Sequence, residues 1–133
     1  MAKLRHFAIV VRDQEKSAKF YEQAFGMNRV GSEDLGWSSA IYMSDGTVNL
    51  ALLNFSGSKG TGRADMKDFV GAHHFGFIVD DIVDTGKRVE AAGGKFFMDL
   101  GDDATKKNFE RKFQDPDGIV IDVSHSGWTG AKA

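Results

Sequence analysis

With 133 residues, 41% of them hydrophobic, eleven Phe and a single Pro, the chain can build one domain with its own core and is too apolar for disorder. Seventeen basic against nineteen acidic side chains leave a formal charge of −2, which excludes the basic footprint of a nucleic-acid binder. The absence of cysteine excludes disulfides, thiolate nucleophiles, cysteine-held zinc and iron–sulfur clusters.

In chain order, Leu4–Val11 is short and rich in branched and aromatic residues, which predicts a buried strand. Asp13 is a suitable N-cap for a helix whose apolar stripe is Phe20, Tyr21, Ala24 and Phe25, and Gly26 supplies its stop. Strands follow at Arg29–Ser32, Ser38–Ser44 and Thr47–Asn54, the last two joined at Asp45-Gly46. Residues 55–72 form a polar, Gly-rich connector. The pattern then returns: a strand at His74–Val79, a cap at Asp81, a stripe of Ile82, Val89 and Ala92, and a stop at Gly93-Gly94. Strands are expected at Lys95–Leu100, Asn108–Gln114 and Ile119–His125, with a type I turn at Asp115-Pro116-Asp117-Gly118 between the last pair.

The return is a duplication. Residues 6–26 laid ungapped on 74–94 share eight of 21 positions: His6/His74, Phe7/Phe75, Val11/Val79, Asp13/Asp81, Lys19/Lys87, Glu22/Glu90, Ala24/Ala92 and Gly26/Gly94. Unrelated segments would share roughly one or two. The chain is therefore one domain, 1–133, of two βαβββ modules: module one 1–54, connector 55–72, module two 73–125 and a tail 126–133. A histidine heads each module, which is how a pseudo-symmetric fold can build one metal site between its halves. By strand alternation His6 shares a face with Ala8 and Val10, and His74 with Gly76 and Ile78, so small residues beside each histidine leave room for a ligand. His73 and His125 fall on the opposite parity from the site.

This tandem pattern, with RHFAIVVRD, HHFGFIVDD and FQDPDGIVIDV, resembles the vicinal oxygen chelate superfamily across residues 4–125. That group includes glyoxalase I, methylmalonyl-CoA epimerase, extradiol dioxygenases, fosfomycin-resistance enzymes and bleomycin-binding proteins. The resemblance implies an α+β fold whose curved sheets face a shared cleft, with metal ligands on the first and last strand of each module. It nominates His6, His74 and Asp122. The fourth place falls in TVNLALL, on Asn49 by side-chain alternation or on Leu50 by ungapped alignment, and Asn49 is preferred because leucine cannot ligate. Asp122 stands where relatives usually have Glu, and Asn49 where four-ligand members have Glu or Gln. Ala8 stands where a fosfomycin-type enzyme would carry a hydroxyl.

Two imidazoles and one carboxylate suit Fe, Mn, Zn, Ni or Co as the divalent ion, and also form the facial pattern of non-haem iron oxygenases. The leading expectation is a divalent-metal-dependent enzyme on a small oxygen-rich substrate, with dioxygenase-like chemistry slightly ahead of a lyase or isomerase. Tyr42 can point into the pocket as a proton donor. Glu33 is the candidate base, because epimerase relatives place a carboxylate in that neighbourhood. An unpaired carboxylate in a core strand is costly, so Asp122 without a metal would need a Lys or Arg partner. The run Lys106, Lys107, Arg111, Lys112 reads as a solvated edge strand. The alternative is a metal-free small-molecule-binding protein of the bleomycin-resistance type. The resemblance also implies a homodimer. The N-terminal apolar stretch is too short for a membrane span and lacks a cleavage site, so the expected setting is cytoplasmic, with no membrane partner.

Overall fold

The computed structural model describes every residue except 104, 107 and 108. Its elements are β1 (Lys3–Val10), α1 (Gln14–Phe25), β2 (Asn28–Asp34), β3 (Ser38–Ser44), β4 (Asn49–Phe55), β5 (Gly71–Ile78), α2 (Ile82–Ala91), β6 (Lys95–Leu100), β7 (Glu110–Gln114) and β8 (Val120–Ser124). The βαβββ order thus occurs twice, as the duplication implies. Asn108, the expected start of one strand, lies outside the described residues, as does Lys107.

Local signals act where their chemistry predicts. The Asp13 side chain accepts from the Lys16 N–H, and the Asp81 side chain from the Asp84 N–H, so each helix starts on its own cap. Gly26 ends α1 in the left-handed region at φ 69°, where a Cβ would be strained. At the hairpin between β7 and β8, the Gly118 N–H returns to the Asp115 carbonyl at 2.9 Å. Observed strand bounds differ most at β5, which begins at Gly71, three residues before the expected start and inside the segment read as connector. They differ by two residues at β2, which runs to Asp34, and at β4, which begins at Asn49.

All eight strands form one sheet in the order β2-β3-β4-β1-β5-β8-β7-β6. Each module closes on a parallel pair, β1 with β4 and β5 with β8, and the modules join where β1 runs antiparallel to β5. Residues from all eight strands surround a cleft, lined from module one by Trp37, Tyr42 and Phe55 and from module two by Glu110 and Lys112. The helices cover the other face. Ala18 of α1 packs with Val11, Met43 and Leu52, and Ile82 of α2 with Val79, Phe113 and Val123. Three of the residues buried on the module-one side, Ala8, Ala40 and Ala51, are alanines beside Val10 and Leu53, which leaves space between the modules. No helix among the described residues is long and apolar enough to cross a membrane.

Candidate metal centre

Neighbouring positions in the sheet bring His6, His74 and Asp122 together from one chain. His6 lies on β1, His74 on the adjacent β5, and Asp122 on β8, opposite Gly76 in the parallel register. His6 Nε2 and His74 Nε2 are 3.3 Å apart, and Asp122 Oδ2 stands 3.6 Å from the first and 3.1 Å from the second. Donor atoms held at about 2.1 Å from a common ion lie about 3.0 Å apart on an octahedral edge and about 3.4 Å apart on a tetrahedral one. All three separations fall at or near those values.

Asn49 occupies a different place from the one the sequence suggests. Its Nδ2 donates to the Thr129 carbonyl at 2.9 Å, which turns its Oδ1 toward His6 Nδ1, 2.8 Å away. The His6 proton therefore sits on Nδ1, and Nε2 presents a lone pair to the centre. Asn49 holds the His6 ring from behind, on the side away from His74 and Asp122. Strand register explains why. Asp122 lies opposite the second residue beyond His74, and the residue opposite the second one beyond His6 is Ala51. The mirror position of Asp122 is thus a methyl group. Leu50 faces the other way, into the packing beneath α1.

Asp122 Oδ2 is fully buried and has no hydrogen-bond donor among the described residues. An orphaned carboxylate oxygen facing two imidazole nitrogens is costly to bury, and a cation between them removes the cost. The donor set and the orphaned atom fit a divalent ion. Burial, then the neighbouring His74, pushes His6 down to about 3, so it stays neutral near neutral pH, the form a metal ion would need. Burial and His74 likewise push His73 down to about 4.

The reading of Lys112 as part of a solvated edge is overturned. β7 is an interior strand between β6 and β8, and Lys112 pairs in register with Asp122 across the hairpin. Its Nζ lies 2.8 Å from Asp122 Oδ1 and 3.4 Å from Glu110 Oε2. Burial opposes the ammonium charge, but Asp122 and Glu110 outweigh it and hold the lysine above its ordinary range. Burial alone would raise the Asp122 carboxyl, yet His74 and Lys112 beside it hold it well below the usual carboxylate range. Arg111 faces the opposite way and pairs with Asp99.

Sequence reasoning missed Glu110 altogether. Burial, then the Asp122 charge, pushes it up to about 7. Trp128 Nε1–H donates to its Oε1 at 2.7 Å, while the same indole stacks on His6 at 4.6 Å between ring centroids. Gly76 makes that stacking possible, since a Cβ there would stand 2.7 Å from the indole. Glu33 and Tyr42 lie on the module-one wall of the same cleft, with Tyr42 Oη donating to Glu33 at 3.2 Å. Burial, then Glu33, raises the Tyr42 phenol above its ordinary range, so it serves as a donor and not as a phenolate.

A family model described as the Glyoxalase/Bleomycin resistance protein/Dioxygenase superfamily matches residues 3–123. A probable chloroplastic lactoylglutathione lyase of Arabidopsis thaliana is 25% identical over 130 residues, 96% of this chain. The chain spans 37% of that relative's length. Among solved structures, a hypothetical protein from Bacillus halodurans C-125 superposes with a TM-score of 0.74 at 18% identity, covering 92% of each chain. A Streptomyces coelicolor methylmalonyl-CoA epimerase bound to 2-nitronate-propionyl-CoA gives 0.73 at 17% identity, covering 91% of this chain and 92% of that one. These likenesses describe the fold.

Proposed function

The chain belongs to the glyoxalase/bleomycin resistance protein/dioxygenase superfamily, and from that premise we propose that it is a divalent-metal-dependent lyase or isomerase. It would move a proton on a carbon beside an oxygen function of a small, oxygen-rich substrate. The observation that carries this reading is the buried Asp122 Oδ2, orphaned and facing the Nε2 atoms of His6 and His74. Those three residues would hold Fe, Mn, Zn, Ni or Co, with Ala51 leaving the mirror position open for substrate oxygens. When bound, the ion supplies a Lewis acid that stabilises negative charge developing on the substrate oxygen.

The chain's own groups supply the proton handling. Glu110 sits at about 7, close to the ideal for taking and returning a proton near neutrality. Trp128 holds one of its oxygens and Lys112 the other, which fixes the direction in which it works. Glu33, held by the Tyr42 hydroxyl, approaches from the facing module and is the second acid–base group. Lys112 engages Asp122 Oδ1 and leaves Oδ2 alone to face the centre. Two carboxylates on facing walls support proton transfer over the dioxygenase-like chemistry that ligand count by itself suggests. The intact triad likewise weakens the metal-free binding alternative, which has no use for it.

The test is elemental analysis of untagged protein, wild type and Asp122→Ala, after dialysis against Fe, Mn, Zn, Ni and Co. One ion per chain in the wild type, lost in the variant, is the expected result. No uptake of any of the five sinks the enzyme reading.

A further inference from the structure

We propose that His73, held by the main-chain carbonyl of Thr61, is a positioning residue that sets the tautomer of His74 and keeps its Nε2 free for the ion. The proposal rests on the metal-site reading above, but its core is the location of two ring protons, which can be observed without metal.

Alternation along β5 should send His73 and His74 to opposite faces. The β1–β5 register, however, pairs Ala8 with His74 and Ile9 with Ala72, so His73 is the extra residue of a β-bulge. Bulges re-aim side chains. Here the two rings meet, Nδ1 to Nδ1, at 2.6 Å, and His73 Nε2 lies 2.7 Å from the Thr61 carbonyl oxygen.

That geometry assigns the protons. A carbonyl oxygen only accepts, so His73 Nε2 carries a hydrogen. A neutral imidazole has one N–H, so His73 Nδ1 is bare and accepts. The proton between the rings must then belong to His74 Nδ1, so His74 Nε2 is the nitrogen turned to the centre, 3.1 Å from Asp122 Oδ2 and 3.3 Å from His6 Nε2, and any second proton on the ring is one that an ion there displaces. The opposite assignment in neutral rings would set the His73 Nε2 lone pair against the Thr61 carbonyl. It would also fill the metal-facing position of His74 with a proton.

The anchor is firm. Thr61 is 1% exposed, and its hydroxyl donates to the Ser58 carbonyl at 2.8 Å. Phe55 and Phe69 flank the His73 ring at centroid distances of 5.0 and 6.4 Å, limiting its rotation. The connector between the modules thereby does for His74 what Asn49 and the tail carbonyl of Thr129 do for His6.

The primary experiment is long-range ¹H–¹⁵N NMR of histidine-labelled, metal-stripped wild type near neutral pH. The expected tautomers are Nε2–H for His73 and Nδ1–H for His74. A His74 Nδ1 without a proton, or a doubly protonated His73, overturns the proposal. In parallel, zinc affinity is titrated for His73→Phe and His73→Asn. Removing the acceptor with Phe should weaken zinc binding by about 10- to 100-fold, the usual loss for an outer-shell partner. Asn, whose Oδ1 stands near the place of Nδ1, should recover most of it. Wild-type affinity in His73→Phe, or equal losses in both variants, counts against the proposal. If the tautomers are as expected but wild type takes up no zinc or other divalent ion, the positioning role stands and the metal reading falls.

Discussion

Lys112→Met isolates the electrostatic logic of the site. The substitution keeps most of the stem and removes the ammonium, which lies 2.8 Å from Asp122 Oδ1 and 3.4 Å from Glu110 Oε2. The Lys112 and Asp122 side chains are 8% and 1% exposed, so solvent cannot take over the role of the lysine. An exposed pair of this kind is worth under about 1 kcal/mol. Breaking a buried pair by removing one partner costs about 3–5 kcal/mol, because the surviving charge is stranded. At this chain length about 1 kcal/mol corresponds to about 4 °C in Tm, so the metal-free variant should melt about 12–20 °C below wild type. A divalent ion on Asp122 Oδ2 would restore a positive neighbour, so saturating zinc should raise the Tm of the variant by more than it raises that of wild type. The assay is thermal unfolding by circular dichroism in EDTA and in zinc, at pH 8. A metal-free loss under about 4 °C would refute the claim that Lys112 compensates Asp122. A large loss that zinc does not reduce would refute the placement of the ion beside that carboxylate.

Asn49→Leu removes the acceptor of the His6 Nδ1 proton while filling similar volume, and should lower zinc affinity by about 10- to 100-fold, read by titration calorimetry; affinity within about 2-fold of wild type would return Asn49 to a packing role. Gly76→Ala places a Cβ 2.7 Å from the Trp128 indole and 3.1 Å from the Asp122 Cβ. Overpacking of that kind costs about 1–3 kcal/mol, and the displaced indole should leave His6 and Glu110, seen as a changed Trp128 emission in a Trp37→Phe background alongside the urea midpoint.

Much of this architecture is legible in the chain because it depends on local chemistry written twice. Asp13 and Asp81 cap, Gly26 stops, and the Asp115–Gly118 turn closes, each through contacts within a few residues. His6, His74 and Asp122 stand out because a polar residue recurring on an apolar strand is conspicuous. Their partners do not, since those are chosen by tertiary register. Counting outward from the Asp115–Gly118 turn would set Lys112 opposite Ile121. The Asp115 N–H bonds to the Ile119 carbonyl, however, so the turn takes up one more residue and the register moves Lys112 onto Asp122. The fourth ligand position behaves likewise. Counting from the turns points to Asn49 or Leu50, whereas counting along the parallel register from each histidine reaches Ala51, because the two hairpins differ in length. His73 was hidden by a bulge, which breaks the parity rule at the one residue where it matters.

The duplication explains why there are two histidines, but not how each ring is turned. The repeated segments deliver two imidazoles to adjacent strands, and nothing in that symmetry chooses which nitrogen of each ring is bare. The choice is made by segments that are not repeated. The connector offers the Thr61 carbonyl to His73, and the tail offers the Thr129 carbonyl to Asn49, so His74 and His6 are each tied through one side chain to one main-chain oxygen. The tail also brings Trp128 over His6 and onto Glu110. Module two breaks the symmetry further, with Asp122, Lys112 and Glu110 in its cleft wall, against Ala51 at the mirror position of Asp122 in module one. A fold with two equal halves would offer two equal half-sites. This chain sets Lys112, Glu110 and Asp122 on one wall and Tyr42, Glu33, Trp37 and Phe55 on the other, so a substrate bound as proposed would meet two unlike sides.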